Sequence, residues 1–144
     1  LHQGEFARGK GKFHPVTYIP PAEETDEEYD YIMMTGRMLY HFHTGTMTRN
    51  SEPIDKHEPD AYLEINKKDA KKLRIKEGDR VKVTSRRGEV ETNARIGDRV
   101  QPGQIFMPFH YAESPANRLT NPVLDKDAKI PELKVTAVKI EKVE

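Results

Sequence analysis

The chain has 144 residues, 24 basic and 24 acidic side chains, a formal net charge of zero and no cysteine. This length suffices for one compact domain, and the balanced charge argues against binding nucleic acid or a membrane surface through bulk charge. Without cysteine the chain has no disulfide, thiolate metal site or cysteine nucleophile.

The ends and the hydropathy pattern bear on location. No run of about 18 apolar residues occurs, which predicts that no helix inserts into a membrane. The first residues lack the apolar stretch of a signal peptide, so we expect a cytoplasmic location. Residue 1 is Leu rather than Met, which favours a fragment of a longer protein.

Residues 1–30 are predicted to form an irregular, partly disordered connector. Glycines stand among basic residues, prolines interrupt the chain at Pro15, Pro20 and Pro21, and an acidic run follows. Such composition is typical of linkers, with weak strand propensity at residues 16–19. The domain proper is then expected to span residues 31–144.

Short apolar and alternating runs predict six or seven strands in this domain. A short helix is predicted from Lys67 to Leu73, with Asn66 as its N-cap and Asp69 in a capping-box role. The loop at residues 111–131 is longer than an ordinary connector, which favours a functional role. These elements predict a mainly β barrel with one or two short helices. The predicted strands lie at residues 31–35, 61–65, 80–85, 89–96, 104–109 and 133–143.

The segment 31–51, YIMMTGRMLYHFHTGTMTRNS, contains two arginines, two histidines, two glycines and several hydroxyls but no acid. Guanidinium groups, imidazoles, hydroxyls and backbone N–H groups exposed at glycines are the groups that hold phosphate oxygens in proteins. We therefore interpret this segment as an anion-binding loop for a cofactor that carries a nucleotide.

Other patterns are weaker. GEFARGKG at residues 4–11 nearly fits a phosphate-binding loop, but Gly11 replaces the required hydroxyl and no strand precedes it. His41 and His43 could ligate a metal only with a third ligand such as His110. Hydrogen bonding to a ligand, or to the protein backbone, remains open for both. No metal site is predicted.

Two basic clusters are expected to be solvated. Arg86 and Arg87, with Lys82, are interpreted as the tip of a hairpin, and the lysines of residues 67–76 as a helix face. Because the net charge is zero, we expect no nucleic-acid partner. No nucleophile–base or acid–base arrangement is evident, so no catalytic residue is predicted and the isolated chain should not be catalytic.

Three phrases carry a resemblance: TGRMLYHFHTGTMTRNS, AYLEINKKDAKKLRIKEGDRVKVTSRRGEVETNARI, and GQIFMPFHYAESPANRLTNPVLDKDAKIPELKVTAVKIEKV. They resemble the C-terminal molybdopterin dinucleotide-binding domain of molybdenum- or tungsten-dependent formate dehydrogenase catalytic subunits. The resemblance covers residue 31 to the end, and LHQGEFARGKGKFHPVTYIPPAEE is similar to the connector that precedes it. It implies a six-stranded double-psi β-barrel that grips molybdopterin guanine dinucleotide, with either metal.

Residue roles follow from the same resemblance. It implies that Arg37 contacts phosphate or pterin, and that His41, His43 and Thr44 line the pterin and pyrophosphate while Thr46 supports their loop. The long loop and the final strand would each add one contact. Met38 departs from relatives that often carry an acid after the TGR arginine, so the resemblance does not carry a guanine or pterin contact over to its side chain. The implied cofactor-binding residues are Arg37, His41, His43, Thr44, Thr46, Asn117 and Lys134.

The implied parent is a formate dehydrogenase that oxidises formate to carbon dioxide. Its metal ligand and iron–sulfur cluster would lie upstream, and its partners would be the other domains of the catalytic subunit and an electron-transfer iron–sulfur β subunit. Two alternatives stay open. One is the equivalent domain of a formylmethanofuran dehydrogenase or nitrate reductase, and the other is a non-enzymatic recognition barrel.

Overall fold

The structure is a computed structural model that describes residues 3, 4 and 6–143. Over this part of the chain it contains six strands and two short α-helices, with 3-10 turns at Thr48–Asn50 and Ala116–Arg118. The helices are α1 (Glu52–Asp55) and α2 (Lys67–Lys72). The strands are β1 (Tyr31–Gly36), β2 (Tyr62–Asn66), β3 (Arg80–Ser85), β4 (Gly88–Gly97), β5 (Gln104–Pro108) and β6 (Thr136–Lys142).

The strands close into a barrel in the order β1-β5-β2-β4-β3-β6. β1 and β5 are parallel, as are β2 and β4, while the remaining neighbours are antiparallel. Closure leaves no unpaired strand edge. The mainly β class and the six-stranded double-psi barrel with short helices are therefore confirmed.

Side chains that alternate along the strands fill the barrel. β1 and β3 bury every second residue, as expected where one face meets the core and the other meets loops. β2 is buried along its whole length because helices and loops cover its outer face. The core includes the fully buried Met33, Leu63, Ile65, Val81, Val83, Ile105, Met107 and Val138.

The predicted helix is present as α2, and its cap is confirmed in part. The Asn66 side chain accepts a hydrogen bond from the Lys68 backbone N–H at 3.0 Å. Asp69, however, does not close a capping box. Its carboxylate accepts from the Gly103 N–H at 2.7 Å, which ties the helix to the turn before β5.

Two sequence predictions were inexact or wrong. No strand forms at residues 16–19, which are irregular and exposed. A second short helix, α1, lies in the polar segment 50–60, where Pro53 occupies an allowed position near the helix start. β6 begins at Thr136 rather than Leu133, because the Asn121 side chain takes the Val135 carbonyl as its acceptor at 3.0 Å.

The connector runs into the barrel through an ordered stretch at residues 22–30, where the Ala22 N–H donates to the Glu132 carboxylate at 3.3 Å. Residues 1, 2 and 5 of the predicted connector lie outside the described part. The boundary at residues 30 and 31 remains a prediction. In the described residues, no helix has the length and apolar character to span a membrane.

The strand directions define two ends of the barrel. β1, β3 and β5 finish at one end, where β2, β4 and β6 begin. We call this the loop end, because the segments 37–61 and 109–135 both emerge there. The other end, which carries α2 and shorter connections, is called the opposite end.

Candidate functional site

All seven predicted cofactor-binding residues belong to segments of the loop end. Five of them lie in the segment between β1 and β2, and two lie in the segment between β5 and β6. Hydrogen bonds tie the second of these segments to the last residues of β1. The Phe109 N–H donates to the Gly36 carbonyl at 3.2 Å, and the Thr35 hydroxyl donates to the Leu133 carbonyl at 2.8 Å.

Arg37 is the exposed residue directly after β1. Its guanidinium makes no hydrogen bond or ion pair with any residue that the structure describes. It borders a cavity of about 540 Å³ that has Met34, Tyr62 and Phe106 in its apolar lining. Concave sites with an apolar lining and a few polar groups are typical of ligand pockets. Arg37 is thus free to pair with an anion.

Two further arginines border this cavity, and sequence reasoning missed both. Arg95 lies over the Tyr62 ring, with 3.6 Å from its guanidinium carbon to the ring centroid, and pairs with Glu58 at 2.9 Å. Arg99 donates to both carboxylate oxygens of Glu64 at 2.7 Å. With Arg37, three arginines face two glutamates here, so the cavity is left with one net positive charge.

The cavity floor explains two residues of the TGRM phrase. Met38 is buried, and its sulfur accepts a hydrogen bond from the Tyr62 hydroxyl at 3.2 Å. The side chain thus packs against Tyr62 and forms part of the apolar lining of the cavity. Gly36 must be glycine because an added Cβ would lie 2.5 Å from Cε2 of Phe106.

His41 holds the segment between β1 and β2 together. Its ring is buried, and its Nδ1 and Nε2 lie 3.0 Å from the Thr48 hydroxyl and the Glu58 carbonyl. Protein groups of the same segment therefore bind both ring nitrogens of His41 in the structure. Its assignment to the cofactor remains a prediction, with its ring nitrogens already engaged.

His43, Thr44 and Thr46 are exposed on the turn that follows. His43 has a positive φ of 50° and packs edge-on against Phe109, with ring centroids 5.7 Å apart. The Thr44 and Thr46 hydroxyls are 2.9 Å apart. A hydroxyl pair on an exposed turn offers donors and acceptors to an anionic ligand. These roles also remain predictions.

Lys134 and Asn117 lie on different parts of the loop end. The Lys134 ammonium donates to the Thr35 carbonyl, which places it at the last residues of β1, close to Arg37 in the chain. Asn117 lies in a 3-10 turn whose neighbour Arg118 approaches the β3–β4 hairpin at Gly88. Lys134 is thus held at the last residues of β1, although it does not line the cavity that Arg37 borders, whereas Asn117 lies near the β3–β4 hairpin.

His110 is a residue that sequence reasoning considered only as a third metal ligand. It is 8% exposed, and neither ring nitrogen has a hydrogen-bond partner among the described residues. Burial, with smaller contributions from His41 and Arg49, lowers its pKa to about 4. It packs against Gly45, where a positive φ of 73° and an added Cβ 3.2 Å from the imidazole Cδ2 both favour glycine.

The histidines do not form a metal centre. His41 is buried and His43 is exposed, so they do not share a strand face as the metal hypothesis required. Across the described part of the chain, no group of three or more His, Cys, Asp or Glu side chains could hold a metal ion.

Comparison with known proteins decides the family. The family profile described as "Molydopterin dinucleotide binding domain" matches residues 31–137, which include every strand of the barrel in whole or in part. The chain belongs to this molybdopterin dinucleotide-binding family. The resemblance stated from the sequence is confirmed.

Relatives in this family are parts of larger oxidoreductases. The chain is 49% identical over 145 residues to the F420-dependent formate dehydrogenase subunit alpha of Methanocaldococcus jannaschii, covering 99% of this chain and 22% of that protein. It is 47% identical to the F420-dependent formate dehydrogenase 1 subunit alpha of Methanococcus maripaludis, covering 94% and 20%. A nitrate reductase of Symbiobacterium thermophilum is 44% identical, covering 93% and 18%. The chain thus spans about a fifth of these relatives' length.

A solved structure supports the fold. Acetylene hydratase from Pelobacter acetylenicus superposes with a TM-score of 0.71 at 18% identity, covering 80% of this chain and 18% of that protein. At this identity the similarity concerns the barrel and not the reaction.

Proposed function

We propose that this domain binds molybdopterin guanine dinucleotide as the C-terminal domain of a formate dehydrogenase catalytic subunit. The family supports dinucleotide binding, and relatives named as formate dehydrogenase alpha subunits match nearly the whole chain. The guanine form, the metal (molybdenum or tungsten) and formate as substrate belong to the proposal.

The residues of the loop end fit such a cofactor. The observation that carries the proposal is Arg37, an exposed guanidinium that has no partner among the described residues and lies beside a cavity with a net positive charge. A guanidinium binds phosphate through two parallel hydrogen bonds, which suits the pyrophosphate of a dinucleotide. Both carboxylates at this cavity are already paired with arginines and do not repel an anion.

When bound, the cofactor would supply the metal and the redox chemistry, and this chain would supply binding and orientation. Arg37 and Lys134 would hold anionic groups at the last residues of β1. Thr44 and Thr46 would donate from the neighbouring turn, and Asn117 from the far face of the loop end. We assign no catalytic residue to this chain.

The proposal extends to the rest of the protein. The domain would pack on the other domains of one cytoplasmic catalytic subunit, which would carry the metal ligand and an iron–sulfur cluster. An electron-transfer iron–sulfur β subunit would accept the electrons. The connector is docked on the barrel from Glu23, beside the β3–β4 turn, to Asp30, beside Lys72 of α2, so it would carry the chain from those domains past the loop end to the start of β1.

Replacing Arg37 by Ala in the full-length protein tests the proposal. A lost charge-assisted contact to phosphate is worth about 1.5–3 kcal/mol, so we expect about ten- to a hundredfold weaker cofactor retention. Metal content by mass spectrometry and guanine nucleotide released on denaturation measure it. Arg80→Ala, at the opposite end, is the matched control. Full cofactor occupancy in Arg37→Ala would contradict the proposal.

Nitrate reduction is the second candidate, favoured by the 44% identical relative of that name. The cofactor-binding role of this chain would be the same, so residue substitutions cannot separate the two. Assaying the purified full-length protein with formate and an electron acceptor, and with nitrate and an electron donor, does so. Turnover of nitrate without formate oxidation would replace the first candidate with the second.

A further inference from the structure

One guanidinium bridges two segments that are far apart in the sequence. Arg87, in the turn between β3 and β4, donates from Nη1 and Nη2 to the two carboxylate oxygens of Glu23 at 2.7 and 2.8 Å. Its Nε and Nη2 also donate to the Leu119 carbonyl at 3.1 and 2.8 Å. Arg87 is thus exposed at the tip of the hairpin, as expected, but its guanidinium is engaged by two other segments, which was not expected.

The Glu23 end of this bridge is well shielded. The side chain of Glu23 is 9% exposed, and it also accepts from the Ala137 N–H at 3.2 Å and from Arg86 at 2.5 Å. Burial alone would raise the pKa of Glu23, but the hydrogen bonds from Arg87 and Arg86 lower it below its usual range. Glu23 is thus ionised at neutral pH, and its bonds to Arg87 are charge-assisted.

The Leu119 end of the bridge fixes an exposed turn. Ala116 and Leu119 are fully buried, whereas Asn117 and Arg118 between them are exposed. The Thr120 hydroxyl donates to the Asn117 carbonyl at 3.0 Å and closes the turn. The β3–β4 hairpin is attached to this turn at the Leu119 carbonyl, because that oxygen accepts two hydrogen bonds from the Arg87 side chain.

We propose that Arg87 is a positioning residue for the cofactor. By bridging Glu23 to the Leu119 carbonyl, it makes the placement of Asn117 depend on how residues 22–30 dock against the barrel. The inference rests on the proposed function, in which Asn117 contacts the dinucleotide. The connector would then influence cofactor retention from outside the binding site, although Glu23 makes no hydrogen bond or ion pair with a predicted cofactor-binding residue.

Arg86 offers a natural control for Arg87. It is adjacent in the chain, pairs with the same Glu23 and with Asp26, and lies over the Tyr29 ring at 4.6 Å. It makes no contact with the Leu119 carbonyl. Arg86→Met therefore removes a positive charge and connector contacts at the same hairpin, but it keeps the hydrogen bonds from Arg87 to the Leu119 carbonyl.

The experiment compares Arg87→Met, Arg86→Met and Glu23→Gln in the full-length protein. Amide hydrogen exchange of residues 116–120 reports placement of the turn, with exchange of residues 80–97 as the measure of the hairpin itself. The rate at which guanine nucleotide leaves the native protein reports cofactor retention. Glu23→Gln keeps the shape of the side chain and the Arg87 side chain, but it removes the charge that anchors the connector.

We expect Arg87→Met to speed both exchange of the turn and nucleotide loss about tenfold, since it removes charge-assisted bonds. Glu23→Gln and Arg86→Met both weaken the docking of the connector but keep the bonds from Arg87 to the Leu119 carbonyl, so each should produce a smaller change of the same kind. Arg87→Met rates equal to those of Arg86→Met would overturn the bridge. An unchanged turn in Glu23→Gln would overturn its dependence on the connector.

Failure of the proposed function gives a different result. Hydrogen exchange in cofactor-free protein tests the bridge whether or not the domain binds a dinucleotide, whereas Arg37→Ala tests the binding itself. Faster turn exchange in Arg87→Met with unchanged nucleotide loss would overturn the positioning role and leave the dinucleotide proposal standing.

Discussion

The two ends of the barrel pair their polar groups to different extents. At the opposite end, several polar side chains find partners within the chain. The Asn66 amide donates to the Val100 carbonyl at 2.8 Å, and Asp69 accepts from the Gly103 N–H at 2.7 Å. Asp79 accepts from the Lys76 N–H and the Lys142 ammonium at 2.8 and 2.6 Å. The buried Tyr31 hydroxyl has no partner among the described residues, but the paired groups stabilise the fold at this end.

At the loop end, several polar groups are left without partners among the described residues. The guanidinium groups of Arg37 and Arg118 form no hydrogen bond or ion pair, and both ring nitrogens of buried His110 are unpaired. Unsatisfied groups reduce stability, especially when buried. The loop end therefore gives up some stability at buried His110, whereas Asn66, Asp69 and Asp79 stabilise the opposite end.

The largest expected effect comes from breaking the opposite end at Asn66. Asn66→Ala removes the N-cap bond to the Lys68 N–H and leaves the buried Val100 carbonyl without its donor. The loss should be about 2–4 kcal/mol of unfolding free energy, summing a cap and an unsatisfied acceptor. Urea unfolding followed by circular dichroism measures it.

Asn66→Asp refines this experiment. The carboxylate can still accept from the Lys68 N–H but cannot donate to the Val100 carbonyl, so it should recover only the cap portion of the loss. Cofactor content of the folded Asn66→Ala protein should stay normal. A protein that unfolds at the usual urea concentration, or that folds but lacks cofactor, would contradict the division between the two ends.

The next effect lies at the loop end and depends on pH. Burial lowers the pKa of His110 from 6.5 to about 4, so the folded protein keeps the ring neutral where the unfolded chain protonates it. Because the unfolded state binds more protons in this window, stability falls as the pH drops from 6.5 to about 4. The total change is at most about 3 kcal/mol.

His110→Phe should flatten that decline. Phe keeps an aromatic ring beside Tyr111, whose ring centroid is 3.9 Å from that of His110, and brings no titrating group. Melting temperatures between pH 4 and 7 measure the slope. His57→Phe, at an exposed position, is the control and should keep the decline. An equal slope in His110→Phe and the unmodified protein would show that another group causes the acid sensitivity.

The contrast between the ends also explains what the sequence could predict. Strands and the Asn66 cap depend on neighbours within a few residues, where alternation and capping chemistry act, and these predictions were confirmed in position or nearly so. Asp69 sits at the spacing of a capping box, yet its partner Gly103 is 34 residues away. Local patterns cannot reveal a competing partner that only the closed barrel supplies.

The same limit applies to the candidate site. Arg37 was found because it lies in an acid-free segment with a recognisable phrase. Arg95 and Arg99 were missed because their neighbours in the sequence are ordinary strand and turn residues. Their partners, Glu58 and Glu64, lie more than 30 positions away in the sequence. The partners of Arg87 were missed for the same reason, since Glu23 lies far before it in the sequence and Leu119 far after it.

The smallest expected effect on stability is at Thr44, where the comparison of the two ends is sharpest. Among the described residues, the Thr44 hydroxyl bonds to that of Thr46, at an exposed turn, so Thr44→Ala should change the unfolding free energy by less than about 0.5 kcal/mol. If the hydroxyl also contacts the cofactor, one lost hydrogen bond should weaken retention about three- to tenfold. Thr17→Ala, at an exposed position of the connector, is the control. Thr44→Ala would then show the reverse of Asn66→Ala, weaker binding with intact stability. A retention equal to that of Thr17→Ala would remove Thr44 from the site.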